Sequence, residues 1–256
     1  MNNLDLEEVC DFVNTNIALF HNARLERLKS LNLKDLLKKK NPCLFKAKNV
    51  LKASELVNGI LDAFISSSEE KMFGDFLESL AIFVCEKAYK GFKSSSSGID
   101  LEFELDNVRY LVSVKSGPNW GNSSQISALR TSFLKAKKIL NQSRQIKNIQ
   151  PVLGICYGKT KTTNNGLYLK ITGQNFWYFI TGSRDFYIDI IKPIGYKAKK
   201  HCERYDKEKT RVYNKFTKDF LDNFCTEGLI DWQALVSFNS GNYQAGNGIY
   251  CFQESV

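Results

Sequence analysis

Within the run GIDLEFELDNVRYLVSVKSGPNWGNSSQ, residues 98–125, an Asp, a Ser and a Lys fall at positions 100, 113 and 115. A carboxylate such as Asp100 is the hard oxygen donor that Mg²⁺ requires. A lysine beside it can orient or deprotonate a water and neutralise charge on a phosphoryl group. With an ion bound, such a set can hydrolyse a phosphodiester. The carbonyl of Val114, between Ser113 and Lys115, offers one more oxygen. The next 69 residues, Ser116 to Arg184, contain no Asp or Glu but ten Lys or Arg. A candidate cation site thus opens onto sequence that attracts polyanions.

The elements around these residues are legible from their periodicity. Residues 99–105, IDLEFEL, alternate, with Asp100, Glu102 and Glu104 on one face and Ile99, Leu101, Phe103 and Leu105 on the other. Asp106-Asn107 suits a two-residue hairpin turn into 108–115. Counting back from that turn sets Asp100 opposite Ser113 and Glu104 opposite Arg109, a favourable cross-strand ion pair. Lys115 then shares a face with Ser113.

A helix is expected over 69–90, with Phe73, Phe76, Leu77, Leu80 and Val84 as its apolar stripe. Upstream, 4–30 and a helix from a Ser54 cap to about Ile65 read as helical. LKDLLKKKNP reads as a short basic helix that stops at Pro42. Downstream, a helix over 124–142 takes Ser124 as its cap and turns Ile126, Leu129, Phe133, Ala136 and Leu140 inward. Strands near 151–157 and 167–172 follow, then helices near 174–180, from Ser183 to about Lys192, and across 196–226. This order predicts an α/β fold, a mixed central β-sheet flanked by helices, with helical N- and C-terminal regions. The expected divisions are a helical region over 1–65, a catalytic core over 66–195 and a helical extension over 196–256, together one compact unit.

Composition narrows the class. With 36 Lys and Arg against 27 Asp and Glu, the 256-residue chain carries a formal charge of +9. No apolar run is long enough to span a membrane. The acidic start MNNLDLEEVCDF is unlike a signal peptide. Seven cysteines, none in a CxxC pair, indicate neither a zinc site nor a disulfide framework; they are expected to be buried thiols in a reducing cytoplasm. His21 and His201 are the only histidines, which excludes nuclease sites built on several of them. GICYGKT departs from a phosphate-binding loop, because three residues rather than four separate Gly154 and Gly158.

The spacing D-x12-S-V-K resembles the PD-(D/E)XK nuclease superfamily. GIDLEFE…YLVSVKSGPNWGNSSQ and the later FWYFITGSRDFYIDIIKPIG are similar to a family of type II restriction endonucleases. That resemblance implies Mg²⁺-dependent cleavage of double-stranded DNA at a short specific sequence. One site per subunit and two strands to cut imply a homodimer. A DNA methyltransferase that protects host DNA is the implied genetic partner, and the cytoplasm the implied location. Many superfamily members carry Asp or Glu where this chain has Ser113. Since superfamily members often direct a Glu from the preceding helix into the site, Glu78 is the first candidate for the missing acid and Glu102 the second. Gly74, Ala81 and Cys85 share the Glu78 face and are small enough to let the helix approach the sheet. Asp100 and Glu78 would then bind metal with the Val114 carbonyl, Lys115 would assist the water, and Ser113 would support them. The alternatives are a structure-specific repair or recombination nuclease and a catalytically inactive DNA-binding module, the latter raised by Ser113.

The candidate DNA contacts follow Lys115 directly. Asn119, Asn122, Ser123, Ser124 and Gln125 offer hydrogen bonds to bases or phosphates, and Trp120 offers a stacking face. Arg130, with Lys135, Lys137 and Lys138, lies on the next helix, and Lys159 and Lys161 lie on a basic loop between strands. The later cluster from Lys197 to Arg204 is interleaved with acids and is expected to be a solvated helix.

Overall fold

A computed structural model describes residues 4–142 and 148–242. Helix α1 (Leu6–Lys29) leads into two short helices, α2 (Leu33–Leu37) and α3 (Pro42–Ala47). The Asn32 and Asn41 side chains cap them. Pro42 does more than stop α2: its fixed φ suits a first helical position, and α3 starts on it. Helix α4 (Ala53–Tyr89) runs unbroken for 37 residues, where the pattern predicts two helices. The serines at 66–68 do not interrupt it, because the Ser67 hydroxyl donates back to the Ala63 carbonyl at 2.9 Å.

The sheet comes next. Strands β1 (Phe92–Lys93), β2 (Leu101–Leu105) and β3 (Val108–Lys115) precede helix α5 (Ser123–Gln142), which crosses over to β4 (Ile149–Ile155). Then come β5 (Thr163–Asn164), β6 (Leu169–Thr172) and helix α6 (Gln174–Thr181). The strand order is β1-β2-β3-β4-β6-β5. Pairs β3/β4 and β4/β6 are parallel, and β1/β2, β2/β3 and β5/β6 are antiparallel. The fold is therefore the mixed sheet flanked by helices that the pattern predicts. Short helices α7 (Phe186–Asp189) and α8 (Ile191–Ile194) lead to α9 (Ala198–Phe224), a small hairpin of β7 (Cys225–Thr226) and β8 (Leu229–Ile230), and α10 (Trp232–Ser240).

The β2–β3 hairpin has the expected register, with Leu105 opposite Val108 and Leu101 opposite Val112. Asp106 and Asn107 take φ values of 50° and 62°, the left-handed pair that a tight turn between twisted strands demands. Alternation then sends Leu101, Phe103, Val112 and Val114 to one face, against α1, α4 and α6. Leu111, Leu153 and Ile155 go to the other face, against Leu129, Phe133 and Ala136 of α5. Phe103 meets Tyr89, Tyr110 and Phe179 at centroid distances of 5.5, 5.1 and 5.2 Å. Each such pair contributes about 0.5–1.5 kcal/mol beyond its burial, so the cluster fixes the hairpin to α4 and α6. Gly154 lets α6 lie close on β4, since a Cβ there would fall 2.2 Å from the Phe176 ring.

The chain divides into two compact units. Among the described residues, one comprises 4–24, 68–142 and 148–204 and contains the six-stranded sheet; the other comprises 25–67 and 205–242. The second has its own core, in which Leu28, Leu36, Leu56, Val57 and Leu61 pack with Phe216, Phe220 and Leu235. No helix among the described residues is long and apolar enough to cross a membrane. The described cysteines are free thiols; Cys85 and Cys156 are buried as expected, but Cys43 is exposed and Cys10, Cys202 and Cys225 are half-buried.

Candidate active site

Asp100 stands one residue before β2, where β2 and β3 part. Its backbone N–H still donates to the Val112 carbonyl at 2.9 Å. The following N–H on β3, that of Val114, finds no strand beside it and donates instead to Asp100 Oδ2 at 2.6 Å. The Ser113 hydroxyl donates to the same oxygen at 3.2 Å, and Lys115 Nζ lies 3.5 Å from it. None of these contacts uses Oδ1. Asp100 and Lys115 are 18% and 26% exposed, sheltered enough for the pair to matter and open enough for substrate to reach.

Lys115 accepts through its own carbonyl from Cys156 N, one residue past the end of β4, at 2.9 Å. Polar groups alternate sides along a strand, so those of Val114 lie on the opposite edge of β3, with Asp100. That edge carries the Val114 carbonyl as well as the N–H already bound.

Glu78 enters from α4. One turn earlier, a Cβ on Gly74 would lie 3.6 Å from the Ser116 side chain, so α4 runs close to the end of β3. The Glu78 carboxyl is raised above its usual range, first by burial and next by the Asp100 charge, with Lys93 and Lys115 opposing. The Asp100 charge thus acts on the Glu78 carboxyl. Among the described residues no group of three or more His, Cys, Asp and Glu gathers into a cage. Two carboxylates and a carbonyl nevertheless suit Mg²⁺, which takes one or two carboxylates and keeps several waters. The repulsion felt at Glu78 is what a divalent cation would cancel, so the residues present fit the ion.

Glu102, the second candidate for the missing acid, is elsewhere. It is 4% exposed, accepts from the Ser94 hydroxyl at 2.6 Å, and pairs with Arg109 at 3.7 Å. Strand β1 lies beside it, with Phe92 opposite Glu102, and its carboxylate is committed to closing that edge. Arg109 also reaches Glu104, at 3.6 Å, as the register predicts.

The loop after β3 is more organised than its composition indicates. Helix α5 begins at Ser123, and its cap is Asn122 rather than Ser124. Gln125 N donates to Asn122 Oδ1 at 2.9 Å, and Asn122 N donates to Gln125 Oε1 at 3.1 Å. This is a reciprocal capping box. With both amide oxygens occupied, a two-point contact to adenine would break the cap, whereas an amide NH₂ contact to phosphate would not. Trp120 is engaged too: Lys115 Nζ sits 5.6 Å from its ring centroid, a cation–π distance. Sequence reasoning misses that pairing, although an aromatic five residues beyond the lysine is an available signal. Asn119, Ser123, Ser124, Arg130, Lys135, Lys137, Lys138, Lys159 and Lys161 are all exposed. Arg144 and Lys147, also in the acid-free stretch, lie outside the described residues.

The loops after β3 and β4 interlock. A Cβ on Gly117 would fall 2.5 Å from the Tyr157 hydroxyl, and one on Gly158 2.9 Å from Pro118. The basic loop that begins at Tyr157 is thereby held against the segment leaving Lys115.

Comparison with known families gives a match to the model of type II restriction endonuclease EcoO109I over residues 7–202, most of the chain, including Glu78, Asp100, Ser113 and Lys115. A search of curated proteins finds no match. With this coverage, the chain belongs to the type II restriction endonuclease EcoO109I family and is a site-specific endodeoxyribonuclease.

Proposed function

We propose that the protein cleaves double-stranded DNA at a short specific sequence in a Mg²⁺-dependent reaction, within the 66–195 stretch read as its nuclease core. Asp100 and Glu78 are the carboxylates that would hold the ion, with the Val114 carbonyl as a further oxygen donor. When bound, Mg²⁺ supplies charge neutralisation on the scissile phosphate and a more acidic water. Lys115 is the residue that orients that water or takes its proton, and its ammonium stabilises charge on the phosphoryl oxygens. Ser113 and the Val114 N–H fix the Asp100 carboxylate through Oδ2, so its orientation does not depend on the ligand. The observation that carries this reading is the convergence of Ser113, Val114 N–H and Lys115 on one oxygen of Asp100, with Glu78 close enough to feel its charge.

Asn119, Trp120, Asn122, Ser123, Ser124, Gln125, Arg130, Lys159 and Lys161 are the proposed DNA contacts, the lysines and arginine through phosphates. A single site per chain supports a homodimer for double-strand cleavage, with a methyltransferase as the genetic partner in the cytoplasm.

The test is digestion of long unmethylated DNA of known sequence with Mg²⁺, followed by sequencing of the ends, with Asp100→Ala and Lys115→Ala run in parallel. Fragments that share one short sequence, absent from both variants' digests, are expected. Intact DNA across salt and divalent metals would overturn the assignment.

A further inference from the structure

A cavity of about 730 Å³ adjoins the candidate active site, and the proposed chemistry makes no use of it. Its walls are the immediate neighbours of the residues described above. Phe73 and Leu77 of α4 line one side, and Leu77 precedes Glu78. Cys156 and Tyr157 line another, and their backbone N–H groups donate to the carbonyls of Lys115 and Ser116 at 2.9 and 3.1 Å. The Cys156 thiol feels the charges of both Lys115 and Glu78. Trp177, buried to 2% exposure, also lines the cavity, with its indole N–H held by the Cys156 carbonyl at 2.8 Å. Tyr187 supplies a further aromatic wall.

The volume lies within the about 300–1,000 Å³ of sites that enclose small organic ligands. Such a space so near the reacting groups can admit an occupant of matching chemistry. The lining is mainly aromatic and aliphatic, and among the described residues Lys159 is the one charged residue in it. A flat aromatic body carrying an anion meets both conditions, the rings stacking on it and Lys159 meeting the charge. A nucleotide is such a molecule. A base inside the duplex stack cannot enter a recess; a base turned out of the stack can, and enzymes that act on DNA place such bases between aromatic side chains.

We infer that this cavity receives one nucleotide of the bound DNA, unstacked from the duplex beside the scissile phosphate, with Tyr157 and Tyr187 as its accessible aromatic walls, Trp177 buried behind them, and Lys159 at its phosphate. The inference rests on the nuclease reading above. The cavity then contributes to sequence choice, because a base that leaves the stack easily costs less to bind than one that does not.

The experiment uses duplexes that contain the cleaved sequence, each lacking the base opposite one nucleotide of the site. Binding is measured without Mg²⁺, with the DNA checked to remain uncut. At one position, removal of the opposing base is expected to tighten wild-type binding at least tenfold. Ile191→Trp, at an exposed cavity residue, fills the space and is expected to abolish that gain while still binding paired DNA. Tyr187→Ala, which removes a wall, is expected to abolish it as well and decides the matter should the tryptophan variant misfold. No tightening at any position in wild type, or an undiminished gain in folded variants, overturns the inference. Wild type that neither binds nor cuts the fully paired duplex overturns the nuclease reading first, and this one with it.

Discussion

Ser113→Asp would place the acid that many superfamily members carry beside the acid this chain already has. The Ser113 hydroxyl lies 3.2 Å from Asp100 Oδ2 and is 1% exposed, so a carboxylate there has little room to turn away. Two like charges about 4 Å apart repel by about 4 kcal/mol at an effective dielectric of 20. Lys115, 3.5 Å from the same oxygen, offsets part, which leaves about 2–4 kcal/mol of destabilisation in metal-free protein. For a protein of this size that is a fall in Tm of about 4–16 °C. A divalent cation that binds only the folded state returns stability by mass action. Thermal unfolding with and without millimolar Mg²⁺ measures both effects: a low Tm in chelator, with a larger Mg²⁺-induced rise than wild type shows, is expected. A variant as stable as wild type in chelator, or one that Mg²⁺ does not rescue, would refute the proposed metal position between Asp100 and Glu78.

Four further outcomes are expected. Because the folded-state pKa of Glu78 is raised by burial and by Asp100, its stabilising contribution is full below the ordinary Glu value and declines as pH rises through the raised one. Metal-free Glu78→Gln should therefore gain on wild type in Tm as pH rises from about 4.5; a gap that narrows with pH contradicts this. Gly154→Ala drives a methyl to within 2.2 Å of Phe176 and should cost about 1–3 kcal/mol or more by denaturant titration. Asn122→Ala removes the α5 cap and should cost about 1 kcal/mol in the same assay; a larger drop in DNA affinity than in stability would show that Asn122 also touches substrate. Lys159→Ala with Lys161→Ala should lower the slope of log affinity against log salt by about 1 for each phosphate that is no longer neutralised, measured by fluorescence anisotropy.

The hairpin is legible in sequence because two local rules agree: period-two alternation fixes the faces, and a two-residue turn fixes the register, so Asp100 opposite Ser113 needs no tertiary information. Lys115 follows from the same alternation. Glu102 looks available in sequence because the two-residue β1 is too short to show there, yet beside β1 the Glu102 side chain is buried while Glu104 on the same strand face stays exposed. The continuity of α4 is hidden by Ser66, Ser67 and Ser68, which commonly end helices but here do not, Ser67 bonding back to the preceding turn. Choosing Asn122 over Ser124 as the α5 cap depends on a reciprocal bond from Gln125, which three adjacent capping residues leave undetermined. The cavity beside the site assembles from α4, the segment after β4, α6, α7 and α8, and no local pattern encodes it.

The Asp100 carboxylate takes the place of a missing strand for the Val114 N–H. The same atom is thus both a stitch in the sheet and a part of the reaction centre. A lineage that drifts toward binding DNA without cutting it can discard Lys115 at little structural expense, but it loses a backbone partner if it discards Asp100. In descendants and relatives, the aspartate should therefore outlive the activity, and the lysine should be the truer marker of an enzyme that still cuts.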